Sequence, residues 1–375
     1  MNDAIYSPRF KMTSVITACI DSAERSSWLI DNMLIMPKQE SWIRREVSVR
    51  RAAATTRIEG ASMDADEVSE LAKKPPKGKV TEDEQANLNA LEAYRFVDYL
   101  SDQPDIPLDE LVIRELNRYF LKDIDETLTP GVYRNGQNKV GGVYMPPDQG
   151  DVAPLMRGYA NWLSTNGSDE LHPFVKAGLA HIHLVAIHPF WDGNGRTARA
   201  LATLILQRSR FHFRKLLNLE QFLYGIRRDY VPAIEQTLGD HFKPSYDATP
   251  WLQFFSNAVF AEAVRLTDEL TKWHQQIQEL YRTLEPLNIN HRQTEGIAYA
   301  SRVGRMTRAD YMEITDASPL TASRDLAKLV DLGVLIPKGK TRGRVYFFNV
   351  TGPRPNVEVK AEQRRLFDEA EEGDA

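Results

Sequence analysis

The chemistry of this chain is concentrated in one short segment, which begins at His188 and ends at Arg199. The segment reads His-Pro-Phe-Trp-Asp-Gly-Asn-Gly-Arg-Thr-Ala-Arg. It brings an imidazole, a carboxylate, a turn with two glycines and two guanidinium groups into twelve residues. Such a set can hold the phosphates of a nucleotide together with a metal ion, and it can activate an attacking hydroxyl group.

The turn and the two arginines predict a phosphate-binding site. Gly193 and Gly195 flank Asn194 directly before a predicted helix, and successive backbone N–H groups in such a turn can point at one anion. The positive end of the helix dipole lies behind them. Arg196 and Arg199 fall in the first turn of that helix and share a face, so both can contact adjacent phosphates.

Asp192 and His188 add a metal ligand and a base to this site. Asp192 offers a hard oxygen to Mg²⁺, which typically binds one or two carboxylates together with phosphate oxygens. His188, followed by a rigid proline, can take a proton from a hydroxyl group near neutral pH. Singly, these features are typical of a surface turn, a solvated helix face or a structural histidine, and it is their combination at these offsets that favours the phosphate site.

Segment 188–199 resembles the whole signature of the Fic family, His-Pro-Phe-x-Asp/Glu-Gly-Asn-Gly-Arg-x-x-Arg, without a departure. The resemblance covers roughly residues 1–260. Fic proteins are mostly helical and usually transfer AMP from ATP to a Ser, Thr or Tyr hydroxyl of a protein. The resemblance therefore implies a transferase that uses ATP with Mg²⁺ and that modifies a target protein, its own chain included.

The resemblance also implies a role for each residue of the segment. His188 would be the general base, Asp192 would hold Mg²⁺ on the α- and β-phosphates, Arg196 would bind the β-phosphate and Arg199 the γ-phosphate. The other ATP-binding residues that it implies are Gly193, Asn194, Gly195, Thr197, Ala198 and Tyr230. For the adenine pocket the chain has Tyr230-Val231 instead of the family's two aromatic residues, so only Tyr230 carries over.

Residues 131–147 contain short β-prone pieces around Gly and Asn, which predict a β-hairpin on an otherwise helical body. By resemblance this hairpin is the family's flap, and its residues Gly141, Gly142, Val143 and Tyr144 would hold the target peptide by strand addition. An ordinary surface hairpin is the alternative interpretation.

The segment Thr55-Thr-Arg-Ile-Glu59-Gly60 resembles the Ser/Thr-x-x-x-Glu-Gly/Asn motif with which many Fic proteins inhibit themselves. A glutamate at the end of a helix can pair with Arg199, which would then no longer bind the γ-phosphate. Alone, a glutamate before a glycine at a helix end is a common structural feature. With the full signature downstream, we expect Thr55, Glu59 and Gly60 to form an inhibitory segment.

The predicted fold is mainly α-helical: a Fic-type helical core with a small β-hairpin flap, followed by an α+β winged-helix domain. Hydrophobic periodicity predicts helices over 39–59, 81–99, 152–165, 173–187, 196–207, 220–238 and 250–284, with a further helix from Leu108. Thr81 with Glu84 predicts a capping box. We divide the chain into an N-terminal region 1–75 with the inhibitory helix, a catalytic domain 80–285, a domain 286–350 and an acidic, disordered tail 351–375.

Residues 286–350 carry the pattern of a winged helix-turn-helix domain. Helices are predicted over 292–301, 307–314 and 321–332, and a hairpin over 334–336 and 345–348 encloses a basic turn. In one interpretation this domain binds DNA; in the other it packs against the Fic body or mediates assembly. The residues that would contact DNA are Thr321, Ser323, Arg324, Lys328, Lys338, Lys340, Arg342 and Arg344.

Composition narrows the class of protein. The 375 residues carry a net charge of -5 and one cysteine, so we expect a cytoplasmic protein without membrane segments or disulfides. The sequence is compatible with a homodimer and does not specify the oligomeric state. Three other functions stay open: a DNA-binding transcriptional regulator that senses nucleotide, a Fic enzyme that transfers another phosphate-containing group, and a Fic enzyme that mainly removes AMP, with Glu59 positioning water. His181 and His183 are expected to be packing residues.

Overall fold

The computed structural model of the chain describes residues 6–76, 78, 80–164, 170–339 and 344–349. The predicted tail 351–375 lies outside the described residues, as do Lys340 and Arg342 of the basic turn. The chain divides into two compact units. The first contains the residues up to Met33 together with Ile43–Asp268, and the second contains Leu34–Trp42 together with the described residues from Glu269 onward.

The α-helices, numbered in chain order, have the following bounds: α1 Ser14–Asp31, α2 Pro37–Ile58, α3 Ala65–Lys73, α4 Glu82–Ser101, α5 Glu110–Leu121, α6 Gln149–Leu163, α7 Pro173–Ile187, α8 Asn194–Arg208, α9 Leu219–Gly225, α10 Arg227–Leu238, α11 Thr249–Leu284, α12 His291–Val303, α13 Arg308–Thr315 and α14 Pro319–Asp331. Short 3₁₀ turns span Phe213–Lys215 and Glu285–Leu287. The strands are β1 Arg305–Thr307, β2 Leu335–Lys338 and β3 Val345–Phe348. The mainly helical fold class is confirmed.

Helices α7 and α8 form the centre of the first unit. Almost every residue of α7 is buried, because the helix is apolar on all sides and other helices surround it. Pro173 occupies its first turn, where the missing N–H costs nothing. α7 ends at Ile187 and α8 begins at Asn194, so the loop that joins these two central helices contains His188 and Asp192.

The predicted starts and ends of several helices are confirmed. Thr81 and Glu84 form the reciprocal capping box that opens α4. α2 ends at Ile58, and Gly60 follows it with φ of 110°, a region that favours glycine. Sequence patterns did not predict α1, α3 or β1.

The single helix predicted over 220–238 is wrong, because the chain forms α9 and α10 there. Ile226 between them has φ of −112° and ψ of 30°, which lies outside the helical region. Gly225 directly before it lowers the helical propensity at this point.

Residues 131–147 form a tighter structure than the predicted hairpin of two strands. A single antiparallel bridge joins Val140 to Tyr144, and Gly141 and Gly142 turn the chain with φ of 57° and 76°. Met145 then leaves this turn, since its backbone pairs with residues 240–242 instead.

The second unit combines α12, α13 and α14 with a three-stranded antiparallel sheet in the order β1-β3-β2. Arg305 pairs with Phe347, and Leu335 pairs with Phe348. Its apolar core includes Ile297, Tyr311 and Leu326. Asp325 is buried in this core and accepts hydrogen bonds from four side chains, those of Asn290, Arg292, Gln293 and Tyr311.

Among the described residues, no helix is both long and apolar enough to cross a membrane.

Candidate functional site

His188 lies at the C-terminal end of α7 in a left-handed conformation, with φ of 50° and ψ of 58°. Its carbonyl oxygen accepts a hydrogen bond of 3.0 Å from Nε of Arg134. The ring nitrogen Nδ1 lies 3.3 Å from the carbonyl oxygen of Val185. Because a carbonyl can only accept, we assign the proton to Nδ1, and Nε2 is then free to accept a proton from another group.

Burial, helped by the positive charge of Arg134, lowers the pKa of His188 to about 4. The Val185 carbonyl, Glu59 and Asp192 act in the opposite direction. The imidazole is therefore neutral at physiological pH, as a proton acceptor has to be.

The turn after His188 is fixed by two amide side chains. Asn194 closes the loop on itself, since its Oδ1 accepts from the backbone N–H of Phe190 and its Nδ2 donates to the Phe190 carbonyl. Asn117 on α5 donates to the carbonyl of Asp192 at 2.9 Å. Gly193 has φ of 75°, and a Cβ there would lie 2.8 Å from Nδ2 of Asn117, so both conformation and space require glycine.

Asp192 and Arg196 form an ion pair at the start of α8. Oδ2 of Asp192 lies 2.8 Å from Nη2 of Arg196, and the two side chains are 48% and 9% exposed. Nε of Arg196 is buried and has no acceptor among the described residues. A buried donor without a partner is costly, so this N–H is available to a ligand oxygen at the mouth of the turn.

Arg199 is buried on the next turn of α8 and pairs with Glu59. Its Nη2 donates to Oε1 of Glu59 at 2.6 Å and to the carbonyl of Thr55 at 3.1 Å. Its Nε donates to the hydroxyl of Thr55 at 3.0 Å. The predicted inhibitory segment and the predicted γ-phosphate arginine are therefore in direct contact.

The charge of Glu59 is favoured in this position. Burial alone would raise the pKa of its carboxyl group, but the guanidinium groups of Arg199 and Arg196 outweigh burial and lower it. The same carboxylate raises the pKa of Arg199. Gly195 makes the approach possible, because a Cβ at this residue would lie only 2.7 Å from Oε1 of Glu59.

Tyr230 lies beside Arg199, with its hydroxyl 3.5 Å from Nη1. The hydroxyl is also 2.9 Å from Nε2 of His181, and burial lowers the pKa of His181 to about 3. His181 stacks on Trp251 and His183 stacks on Tyr6, so both histidines pack in the core. The adenine-binding role of Tyr230 stays a prediction.

Thr197 and Ala198 are both buried within α8. The hydroxyl of Thr197 donates to the carbonyl of Gly193 at 2.8 Å. These two residues therefore support the turn from behind, and their contact with ATP stays a prediction.

The predicted flap is anchored close to His188. Gly141, Gly142 and Val143 are exposed, whereas Tyr144 is buried and its hydroxyl donates to the carbonyl of Ala186 at 2.8 Å. Ala186 is in the last turn of α7. One end of the exposed turn is thus tied to the helix that ends at the base.

Comparison with known proteins agrees with this geometry. Residues 107–206 match the sequence model of the Fic/DOC family. These residues are a Fic domain. The relatives include the protein adenylyltransferase Fic of Drosophila virilis, which is 43% identical over 120 residues, covering 28% of this chain and 24% of that protein. The Drosophila melanogaster protein of the same name is 41% identical over 128 residues, covering 30% and 25%.

The chain thus spans about a quarter of the length of the curated relatives that it matches. Among solved structures, a Fic family protein from Desulfovibrio desulfuricans G20 has a TM-score of 0.60 at 19% identity and covers 93% of this chain and 100% of that chain. Fic-1 (residues 134–508) from C. elegans has a TM-score of 0.55 at 21% identity and covers 69% and 72%. These two likenesses concern the fold.

Two residues of the Fic domain that sequence reasoning missed organise its loops. The guanidinium group of buried Arg134 donates to the carbonyls of His188, Gly136 and Pro147 at 3.0, 2.9 and 2.5 Å. Asn117 joins the Asp192 loop to the backbone N–H of Gly131. The sequence carries one signal for each residue. Arg134 is an arginine among β-prone residues, and Asn117 is an asparagine on the apolar face of α5.

A second buried ion pair joins α2 to α9. Arg51 on α2 and Glu220 on α9 are both about 1% exposed, and Nε of Arg51 lies 3.5 Å from Oε2 of Glu220. The hydroxyls of Tyr94 and Thr203 donate to Oε1 of Glu220. α2 is thereby connected to α4, α8 and α9 through one carboxylate.

Of the residues predicted to contact DNA, some form hydrogen bonds within the second unit and others are exposed. Lys328 donates to the carbonyl of Asn288 at 2.7 Å, and the hydroxyl of Ser323 donates to the carbonyl of Pro319. Thr321 contacts the hydroxyl of Ser318. Arg324, Lys338 and Arg344 are exposed. DNA binding by this unit stays a prediction.

Proposed function

We propose that the chain is a protein adenylyltransferase that transfers AMP from ATP to a Ser, Thr or Tyr hydroxyl of a protein, itself included. The observation that carries the proposal is the position of neutral His188 directly before a helix-N-terminal turn that offers Arg196 and Arg199. A base, an anion site and a Fic domain thus coincide. The names of the relatives agree with this activity.

In the proposed reaction, Nε2 of His188 takes the proton of the target hydroxyl. The hydroxyl oxygen forms a bond to the α-phosphorus of ATP, and the bond from that phosphorus to the bridging oxygen of pyrophosphate breaks. Pyrophosphate leaves with the electron pair, and the imidazolium returns its proton to solvent. The protein contributes mainly position and electrostatic stabilisation, since it holds the phosphates in a turn fixed before ATP arrives.

Arg196 and Arg199 bind the terminal phosphates in this proposal. The buried Nε of Arg196 lacks an acceptor among the described residues, and a phosphate oxygen would supply one. Arg199 can bind a phosphate only after its guanidinium group releases Glu59, because Nη2 already donates to that carboxylate.

Asp192 fits the proposed Mg²⁺, since it is a half-exposed carboxylate beside the phosphate turn. The described residues hold no cluster of three or more His, Cys, Asp or Glu side chains suited to a metal, so the phosphates and water would supply the other ligands. When bound, Mg²⁺ neutralises charge on the phosphates and on the leaving pyrophosphate. Oδ2 of Asp192 must release Arg196 to reach the ion.

Glu59 inhibits the enzyme in this proposal because it competes with ATP for Arg199. Its carboxylate places a negative charge where the γ-phosphate would lie, so ATP meets both an occupied guanidinium group and a repelling charge. Thr55 adds two acceptors that hold the same arginine toward α2. The exposed backbone of Gly141 and Gly142 would pair with the target segment at the flap.

We also propose that residues 286–350 form a winged-helix module, which α12–α14 and the sheet β1-β3-β2 support. The segments 1–75 and 80–285 are then the inhibitory region and the catalytic domain. A single cysteine in the chain favours a reducing compartment such as the cytoplasm.

The test uses ATP labelled at the α-phosphate and the full chain. Glu59→Gly should label itself and proteins of a cell lysate more strongly than the unaltered chain does. The double variant Glu59→Gly/His188→Ala should lose labelling while it retains ATP binding by calorimetry, and Glu59→Gly/His274→Ala is the matched control. Label transfer without His188 would exclude that base, and label from a different nucleotide but not from ATP would exclude AMP transfer.

A further inference from the structure

A groove of about 470 Å³ lies next to the proposed flap in the first unit. Its lining is largely apolar and rich in proline, and its apolar residues include Pro146, Pro147, Pro154, Leu155, Phe242 and Pro244. Prolines and backbone-paired segments make rigid walls, so this groove exists before any ligand binds. Neither the nucleotide site nor the inhibitory segment uses it.

The groove is built onto the same framework as the base. Arg134 donates from Nε to the carbonyl of His188 at 3.0 Å and from Nη2 to the carbonyl of Pro147 at 2.5 Å. One guanidinium group therefore bridges the base and the groove wall. Met145 completes that wall, because its N–H donates to the carbonyl of Asp240 and its carbonyl accepts from the N–H of Phe242, both at 2.9 Å.

Two carboxylates, those of Asp148 and Asp151, line the groove where α6 begins. Both are exposed. Asp148 occupies the N-cap position, yet its side chain makes no capping hydrogen bond, so helix capping does not account for it. Asp151 takes part in no ion pair within the described part of the chain. The N-terminal dipole of α6 favours such charges, but it does not use their hydrogen-bonding capacity.

The positively charged or protonatable side chains near Asp148 and Asp151 have other partners, so the two carboxylates can pair with a ligand. Arg134 attracts Asp148 electrostatically, but its N–H groups are directed at three carbonyls. His241, which also lines the groove, pairs with Asp240. Lys243 is exposed and approaches Gly239 instead. The charge at this rim is complementary to a cationic side chain.

We propose that this groove is a subsite for the target protein. An apolar side chain of the target occupies the proline-lined floor, and a Lys or Arg close to the modified hydroxyl pairs with Asp148 and Asp151. The inference rests on the proposed AMP transfer and names its substrate class: extended segments with a basic residue two to four positions from the acceptor hydroxyl. We choose a spacing of two to four residues because Arg134 alone bridges the carbonyls of His188 and Pro147, and each extended residue covers about 3.4 Å.

The proposal is tested with the full chain carrying Glu59→Gly, α-labelled ATP and a library of Ser, Thr and Tyr peptides. Each peptide carries Lys or Glu at one fixed position within four residues of the hydroxyl. Since an exposed ion pair contributes modestly, two carboxylates should favour the Lys peptides by about three- to tenfold. The charge reversal Asp148→Lys/Asp151→Lys in the same background should favour the Glu peptides instead.

The matched control is Asp66→Lys/Glu82→Lys, which reverses two exposed carboxylates in the first turns of α3 and α4. It should retain the preference for Lys peptides. Two results would overturn the subsite and leave AMP transfer intact. One is labelling that depends on His188 but shows no preference between Lys and Glu peptides. The other is a preference for Lys peptides that the charge reversal leaves unchanged. Self-labelling without labelling of any peptide also overturns the subsite. Absence of all labelling overturns the proposed function and the subsite together.

Discussion

Nη2 of Arg199 donates a hydrogen bond of 2.6 Å to Oε1 of Glu59, and 140 residues of sequence separate the two partners. The arginine side chain is 2% exposed and the glutamate side chain 40% exposed. The carboxylate thus reaches the buried guanidinium group from the solvent side, which is also the side from which a nucleotide would arrive. In the proposed mechanism, ATP and Glu59 therefore compete for one side chain, that of Arg199.

The first prediction separates the charge of Glu59 from its shape. Glu59→Gln keeps the size of the side chain but removes the negative charge, so ATP should bind more tightly. A hydrogen bond to a charged group contributes about 1.5–3 kcal/mol, which corresponds to a change of tenfold or more in the dissociation constant. Calorimetric titration with ATP and Mg²⁺ measures it. Glu126→Gln, which alters an exposed loop carboxylate, should leave the affinity unchanged, and equal affinities for all three proteins would contradict the competition.

The residues that sequence reasoning found are those whose chemistry is local. His188, Asp192 and Arg199 occur in one continuous segment, and the geometry of a turn before a helix follows from glycine and helix-capping rules. Glu59 could be connected to Arg199 only through a resemblance, because no local rule predicts a contact over 140 residues. The structure brings the two together at the end of α2.

Residues that act through tertiary contacts were beyond sequence patterns. Arg134 binds three carbonyls that are distant in the chain or lie across a turn, and its surroundings indicated only β-structure. Similarly, the periodicity over 220–238 predicted one helix, whereas the break at Ile226 separates α9 from α10. Hydrophobic periodicity does not register such a break, although Gly225 lowers the helical propensity at this point.

The second prediction concerns the buried pair of Arg51 and Glu220. Arg51→Met leaves the carboxylate of Glu220 buried without its cation, so the free energy of unfolding should fall by about 3–5 kcal/mol. Arg51→Met/Glu220→Gln removes both charges and should recover part of that loss. Urea unfolding measures both. If the single variant is as stable as the unaltered chain, the pair does not hold α2.

The same pair should also affect inhibition, because Arg51 holds α2 about two helical turns before Glu59, which directly follows the end of that helix. Arg51→Lys, a milder change, should loosen α2 and raise self-labelling while Glu59 is present. In the Glu59→Gly background it should add nothing, since inhibition is already absent. An equal increase in both backgrounds would show an effect unrelated to the inhibitory contact.

The third prediction concerns the protonation of the base. Because burial lowers the pKa of His188 to about 4, its imidazole should stay neutral as the pH falls from neutral to about 5, where an ordinary histidine is already charged. NMR titration of the histidine ring signals measures this, and the His188→Ala variant identifies the signal. A midpoint above pH 6 would contradict the burial argument.

The fourth prediction follows from His183, which burial holds at a pKa of about 3. In the unfolded chain the same imidazole has a pKa of about 6.5. Between these values the unfolded chain binds a proton that the folded chain does not. Protonation therefore favours unfolding, and the stability of the folded state falls as the pH decreases below about 6.5.

His183→Gln removes this proton-binding group, and its amide can still bond the hydroxyl of Tyr246, which lies 3.1 Å from Nδ1 of His183. The slope of unfolding free energy against pH should become smaller by about 1.4 kcal/mol per pH unit between about pH 6 and 5. Urea unfolding at several pH values gives both slopes. His241→Gln, which replaces an exposed imidazole, is the matched control, and equal slopes for His183→Gln and the unaltered chain would mean that His183 is protonated in the folded state.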